Sequence, residues 1–295
     1  MCISYHLGAT RRMGTISSRR VIALADSTRI NDFLAQPQAA GFTIFPAIDG
    51  RFDASAVEPY FDFQTARHRW GYEMPPSHAA CAASHYLVIA EFAAQSGSSR
   101  DFLLVAEDDA RFTPRFARVV ERVVNSNTPV ELVVLADGFG EGERASFVGP
   151  SVASASLSWL ASAFWASGRM FRFGIYRGAV QGAGLYLVSR SAARKYVSFV
   201  EESGKLFWPA DWFHFWAVGA KIETLLLRPG IATWEGESTL GHAASLDLYE
   251  QRTAGQKESL RGRVTFFGRL GVRVVRRSLR ATFNDVSARL GRRRV

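Results

Sequence analysis

Apolar positions along this chain alternate between short continuous runs and longer stretches with helical spacing. Residues 20–25 and 42–45 read as strands, with a helix over 28–40 between them that ends near Gly41. A long helix over 78–96, capped by Ser77, presents Ala82, Tyr86, Ile89 and Ala93 on one face. Phe102-Leu103-Leu104-Val105-Ala106 has the pattern of a buried strand. A helix over 115–125 follows, opened by Thr113-Pro114, and then a strand over 131–135. Strands over 183–188 and 221–227 and helices over 189–200 and 209–218 complete the series. Alternating strand and helix predict βαβ units, hence an α/β domain with a mainly parallel central sheet. Residues 138–178 carry Gly, Ser and aromatics without clear periodicity. They read as a long loop region with a short helix over 158–165, a form active-site lids take.

The last segment differs from the rest. Val264, Phe267, Leu270, Val274, Val275, Leu279, Phe283, Val286 and Leu290 recur at three- and four-residue steps, with arginines on the other faces. Residues 261–294 hold eleven arginines against one acid, Asp285, a charge of +10. The whole chain carries +9, so the remainder is close to neutral. This predicts a basic amphipathic C-terminal helix that lies in an anionic membrane interface or packs on the domain with a solvated arginine face. Nucleic acid is the less favoured partner, because no recognised nucleic-acid module or base-stacking aromatics accompany the arginines. The expected division is an N-terminal extension over 1–18, a catalytic domain over 19–255 and the basic tail over 256–295. No run approaches 18 uncharged apolar residues, and residues 1–18 lack the apolar core of a secretory signal. Cys2 and Cys81 suggest no disulfide framework, as expected of a chain in a reducing cytoplasm.

At the end of the 102–106 run stand Glu107, Asp108 and Asp109. Ligands bind at the carboxyl ends of strands in open α/β sheets, and three adjacent acids repel one another unless a cation or basic groups offset them. Glu107 and Asp109 point to the same side of an extended segment and Asp108 to the other. Hard oxygen ligands of this kind suit Mg²⁺ or Mn²⁺ bridging a diphosphate. The competing reading, that the triplet caps the next helix, is weakened by Thr113-Pro114, which already supplies a cap and a first-turn proline.

Six short motifs, in order, resemble those of glycosyltransferase family 25, the lipopolysaccharide galactosyl- and glucosyltransferase group that includes collagen galactosyltransferase domains. They are Val21-Ile22-Ala23-Leu24 followed by Arg29, Ala47-Ile48-Asp49-Gly50, Cys81-Ala82-Ala83-Ser84-His85, Leu104-Val105-Ala106-Glu107-Asp108-Asp109, the stretch Gly184-Leu185-Tyr186-Leu187-Val188-Ser189-Arg190-Ser191-Ala192-Ala193, and Pro209-Ala210-Asp211. The resemblance covers about residues 20–240. Two places depart from the family pattern: Met74-Pro75-Pro76-Ser77-His78 stands where glycines are usual, and Leu135-Ala136-Asp137-Gly138 replaces a Leu-Gly pair.

The resemblance implies a GT-A-type (Rossmann-like) single domain. Its expected activity is metal-dependent, inverting transfer of galactose or glucose from a UDP-sugar to a hydroxyl of a lipid-linked oligosaccharide such as lipopolysaccharide core. It would work at the inner face of the plasma membrane, held there by the basic tail. Glu107 and Asp109 then hold Mn²⁺ or Mg²⁺, and Asp108 contacts the donor ribose or sugar. Asp211 stands before the aromatic cluster Trp212-Phe213-His214-Phe215-Trp216. Such surroundings favour a proton-accepting carboxylate, so it is the expected general base, or else it caps the following helix. Arg29 pairs with phosphate or uracil, or is an ordinary first-turn arginine. Asp49 accepts from uracil or ribose, or is a turn residue beside Gly50. Ser84 serves the donor and His85 the catalytic machinery, or both are structural. Asp137 and His242 are further candidates, for an acidic contact and an added metal ligand. Readings from other classes are a non-catalytic GT-A-fold sugar-nucleotide-binding or scaffold protein and a metal-dependent nucleotidyltransferase or hydrolase using the same acids.

Overall fold

Phe102 to Ala106 are all buried, because their strand has neighbours on both edges and helices over both faces. In this computed structural model residues 14–136, 154–180, 182–234 and 260–292 are described. The chain runs β1 (Thr15–Ala23), α1 (Ile30–Leu34), β2 (Thr43–Pro46), α2 (Phe63–Trp70), α3 (Pro76–Ala94), β3 (Asp101–Glu107), β4 (Ala110–Phe112), α4 (Phe116–Val124) and β5 (Leu132–Ala136). It continues through β6 (Ala155–Leu157), β7 (Ser162–Ala166), β8 (Arg169–Gly178), β9 (Leu185–Ser189), α5 (Arg190–Ser203), α6 (Phe213–Gly219), β10 (Thr224–Arg228), β11 (Ala232–Trp234) and α7 (Leu260–Arg292).

The main sheet has the order β2-β1-β3-β9-β5-β10-β8-β6, with β7 also on β8; β4 and β11 form a separate pair. Side chains alternate between its two faces. Leu103, Val105, Tyr186 and Val134 face α3, α5 and α6, while Phe102, Leu104, Leu187 and Val133 face α1 and α4. The result is an α/β domain with helices on both faces.

The expected mainly parallel sheet is corrected to a mixed one. Three pairings are parallel (β1–β2, β1–β3, β5–β10) and five are antiparallel. Three of the antiparallel pairings come from the segment expected to be a loop with a helix over 158–165, whose described part forms β6, β7 and β8 instead. β8 ends where β5 and β10 begin, whereas β9 begins at the opposite end of the sheet and so runs against both β3 and β5.

Smaller corrections have local causes. The helix expected over 28–40 is the short α1 followed by a 3-10 turn at Pro37–Ala39, since proline lacks the N–H that a helix interior needs. Ser77 does not cap α3: Pro75 is the cap residue and Pro76 occupies the first turn, where its missing N–H costs nothing. Thr113 does not cap α4 with its side chain; its carbonyl accepts from Phe116 N at 3.0 Å, and Arg115 is the cap residue. β1 begins at Thr15, inside the stretch read as an N-terminal extension, and α2, capped by Asp62 on Thr65 N, had no expected counterpart.

Two features fix α3 against the sheet. Ala79, Ala80, Ala82 and Ala83 are buried in its first half, and such small side chains allow close approach to β1 and β3. At its other end the buried Arg190 donates to Phe92 O and, at 3.0 Å, to Gln95 O, with its guanidinium 4.0 Å from the Phe92 ring centre. A cation there neutralises the carbonyl end of the helix. Ser189 caps α5, accepting from Ala192 N at 3.2 Å. The Ser189-Arg190 motif is therefore structural. Arg190→Met is expected to destabilise the fold by about 2–3 kcal/mol, measured by denaturant melts, because buried carbonyls lose a charged donor.

Candidate active site

Glu107 is the last residue of β3, and Asp108 and Asp109 form the turn into β4. The triplet therefore belongs to a strand end and does not cap a helix. It lines an open cleft together with Arg29, Asp49, Gly50, Arg51, Cys81, Ser84 and His85. Seven of the eight site residues expected from the sequence thus share one cleft; Asp211 is not among its lining residues.

The three acids have different surroundings. Asp108 is buried, accepting from Ser27 Oγ and, at 2.7 Å, from Arg29 Nη2. Glu107 Oε1 lies 3.1 Å from His85 Nε2 and 4.0 Å from Cys81 Sγ. Asp109 has Oδ2 4.0 Å from Arg29 Nη1, while its Oδ1 is buried without a hydrogen-bond partner. Burial, then the neighbouring Glu107, push the Asp109 carboxyl up to about 7, with Arg29 opposing them. An ionised carboxylate is thus held where it is costly, beside a second one, with an acceptor atom left over.

His85 is buried, with Nδ1 2.9 Å from the Tyr186 hydroxyl. Tyr186 stands on β9 between Val105 of β3 and Val134 of β5, so the middle of the sheet holds the imidazole from beneath. With Glu107 ionised, Nε2 donates to Oε1 and Nδ1 accepts from tyrosine, which fixes the tautomer. Cys81, one helical turn before His85, completes a Cys81-His85-Glu107 cluster whose ligand atoms lie within 4.8 Å of one another, a candidate metal site. Burial, then Glu107, Asp211 and Asp109, push the Cys81 thiol well up, which disfavours the thiolate a metal would need.

On the other wall, Ser84 accepts from Ile48 N at 2.9 Å and donates to Ala80 O at 2.7 Å, tying the 47–50 loop to α3. Gly50 makes that contact possible, because a Cβ there would lie 2.4 Å from Pro76 O. Gly50→Ala is expected to displace the loop from α3 and lower the melting temperature, measured in thermal melts. Asp49 is occupied by Arg51, which bonds it through Nε at 2.9 Å and Nη2 at 2.6 Å and also reaches Asp26 at 2.8 Å. This pairing holds the Asp49 carboxyl below its ordinary range.

Asp211 accepts from Gly182 N at 3.0 Å, and Gly184, two residues on, accepts from Glu107 N at 2.9 Å. The acidic strand end and Asp211 are thereby joined through one short segment before β9. Asp211 does not cap α6, whose cap residue is Trp212 with no side-chain bond. Trp208, Phe213 and Trp216 are core residues, and Trp212 and Phe215 are half-buried. Asp137 and His242 lie outside the described residues.

Arg51, Asp26, Ser27, Cys81 and Tyr186 were not expected at the site. Cys81 and Tyr186 had signals: one is four residues before His85, and the other sits inside a motif. Arg51 follows the Ala47–Gly50 loop directly, but nothing in the pattern marks its pairing with two acids.

Fold and cleft define an α/β enzyme domain with its acids at the carboxyl end of a central strand. The model of the family described as "Glycosyltransferase family 25 (LPS biosynthesis protein)" matches residues 18–213, well over half of the chain. The chain belongs to that family, and is a glycosyltransferase with a GT-A-like domain. The matched stretch includes every candidate site residue discussed above except His242. A search of curated proteins returns no match. Among solved structures, the inositol-1-phosphate CTP transferase from T. maritima is similar at 13% identity and a TM-score of 0.41, over 83% of this chain and 99% of that one.

Proposed function

We propose that the protein transfers galactose or glucose from a UDP-sugar, with inversion, to a hydroxyl of a lipid-linked oligosaccharide such as lipopolysaccharide core. The observation that carries this reading is the unpartnered Asp109 Oδ1 beside Glu107 in the cleft. Two crowded carboxylates with a spare buried acceptor fit a hard divalent cation, and Glu107 and Asp109 would hold Mn²⁺ or Mg²⁺. The chemistry such an ion supplies when bound is charge neutralisation on the departing diphosphate.

The chain's own groups have separable tasks. Arg29 fixes Asp108 and half-neutralises Asp109, so the turn keeps its shape before the donor arrives. His85, set by Tyr186, orients Glu107. Asp49 and Arg51 offer an acceptor and a cation on the opposite wall to the nucleoside and its phosphates. Asp211 takes the proton of the acceptor hydroxyl onto its carboxylate. Tyr186→Phe is expected to lower kcat/KM by about 10-fold or more, the scale of a lost partner behind a ligand, with little loss of stability in thermal melts.

No helix among the described residues is long and apolar enough to cross a membrane. The arginine-rich α7 supports placing the enzyme on the anionic cytoplasmic face of the plasma membrane, where a glycolipid acceptor is presented. A panel of UDP-sugars assayed with Mn²⁺ and with chelator tests the activity. One donor should be consumed with Mn²⁺ and spared with chelator, and Asp109→Ala should behave as the chelated enzyme. If no donor turns over, or the variant matches wild type, the reading fails.

A further inference from the structure

We infer that the membrane contact is a composite surface in which Trp159 and Leu160 of the catalytic body lie beside the outer face of α7, so that the enzyme is held in one orientation and not merely tethered. The inference rests on the membrane reading above and goes beyond it in assigning residues outside the tail.

α7 is docked the reverse way from an ordinary amphipathic helix. Its buried positions are Ser278, Ala281 and Asp285, small or polar residues three and four apart on one face. They pack toward β6 and β8, where Arg277 Nη1 donates to Ser154 O at 2.8 Å. The large apolar residues Val275, Leu279, Phe283, Val286 and Leu290 point away and are exposed, Phe283 to 73%. A helix kept solely for the domain would bury that stripe, because each such side chain removed from water contributes about 1.5–3 kcal/mol.

The turn between β6 and β7 extends the stripe. Trp159 N donates to Thr282 Oγ1 at 2.9 Å, and Arg289 Nη2 donates to Leu160 O at 2.9 Å. Thr282 and Arg289 border the stripe on that side, so Trp159 and Leu160, themselves exposed to 55% and 42%, stand at its edge. On the opposite border, by helical spacing, lie Arg273, Arg276 and Arg280, all exposed. An apolar stripe with an indole at one edge and a row of guanidinium groups along the other matches an anionic lipid interface, with acyl chains against the stripe and headgroups beside it. A protein partner would have to supply the same pairing of apolar surface with flanking acids. The site is separate: β3 and β8 are four strands apart, about 19 Å across the sheet.

The full-length protein is mixed with vesicles of phosphatidylcholine, with or without phosphatidylglycerol. Co-sedimentation and quenching of tryptophan fluorescence by brominated lipid are then read. Wild type should bind the phosphatidylglycerol vesicles and be quenched, with binding reduced at high salt. Leu279→Ser/Phe283→Ser and Trp159→Ser/Leu160→Ser should each weaken binding at least about tenfold, and Trp159→Phe should remove most of the quenching. All three should keep wild-type melts and wild-type turnover of soluble acceptor. If the helix variant loses binding while the Trp159/Leu160 variant binds normally and quenching survives Trp159→Phe, the composite surface is wrong and the tail anchor stands. If wild type binds no phosphatidylglycerol vesicle, or the stripe instead mediates a dimer that Phe283→Ser dissolves, both fall.

Discussion

Asp109→Asn is expected to impair sugar transfer severely and, at the same time, to raise the melting temperature of the metal-free protein at pH 8. The Asp109 carboxyl titrates near 7 in the fold against an ordinary 3.8. Between those values the folded chain holds a proton that the unfolded chain has lost, so this group's contribution to stability falls as pH rises through that window. Above pH 7 the fold carries a buried, repelled carboxylate, and asparagine removes it. Melts at pH 8 should gain a few degrees, and melts near pH 4 should show no gain. Transfer should fall by about 10²–10³, the scale of losing one preorganised electrostatic contact. Donor binding with Mn²⁺ should weaken in the wild type as pH drops below 7, because protonated Asp109 no longer offers the charge. A variant that is less stable at pH 8 and still active would break the link between strain and function.

Asp211→Asn should reduce kcat by about 10²–10⁴, the range for removing a general base, while leaving the dissociation constant for UDP unchanged. Stability should change little, because the amide oxygen of asparagine can still accept from Gly182 N, the bond that Asp211 makes at 3.0 Å. Binding by titration calorimetry and turnover with a saturating acceptor separate the two effects. Weakened UDP binding with an unchanged kcat would assign Asp211 to the donor instead.

The acidic end of β3 was legible because its signal is local: a continuous buried run and then charges that burial cannot tolerate without a partner. Arg29, Asp49, Ser84 and His85 were legible only as members of ordered motifs, and their hydrogen bonds were not. Ser84 spends its hydroxyl on Ile48 N and Ala80 O, and Asp49 spends its carboxylate on Arg51. Such pairings depend on how α3 and the 47–50 loop meet in space, which residue spacing does not encode. Strand direction was illegible for a related reason. Leu185 to Ser189 form a buried run in either direction, so residue spacing does not encode that β9 runs against β3 and β5, and the glycines and serines of the β6–β8 segment hid three more antiparallel pairings. The C-terminal periodicity marked a helix but not which face would dock. The buried Ser278, Ala281 and Asp285 show that small residues, not the large apolar ones, meet the sheet.

Two overlapping ligand sets share Glu107: the oxygen pair with Asp109, and the cluster with Cys81 and His85. The oxygen pair is favoured because Asp109 Oδ1 lacks a partner, whereas His85 already bonds at both nitrogens and the Cys81 thiol resists ionisation. Mn²⁺ titration followed by electron paramagnetic resonance, with UDP present, decides between them. The free-ion signal should disappear on adding wild type or Cys81→Ser and persist with Asp109→Asn. Retention of Mn²⁺ by Asp109→Asn with loss in Cys81→Ser would contradict the assignment of the acidic strand end as the diphosphate-metal site.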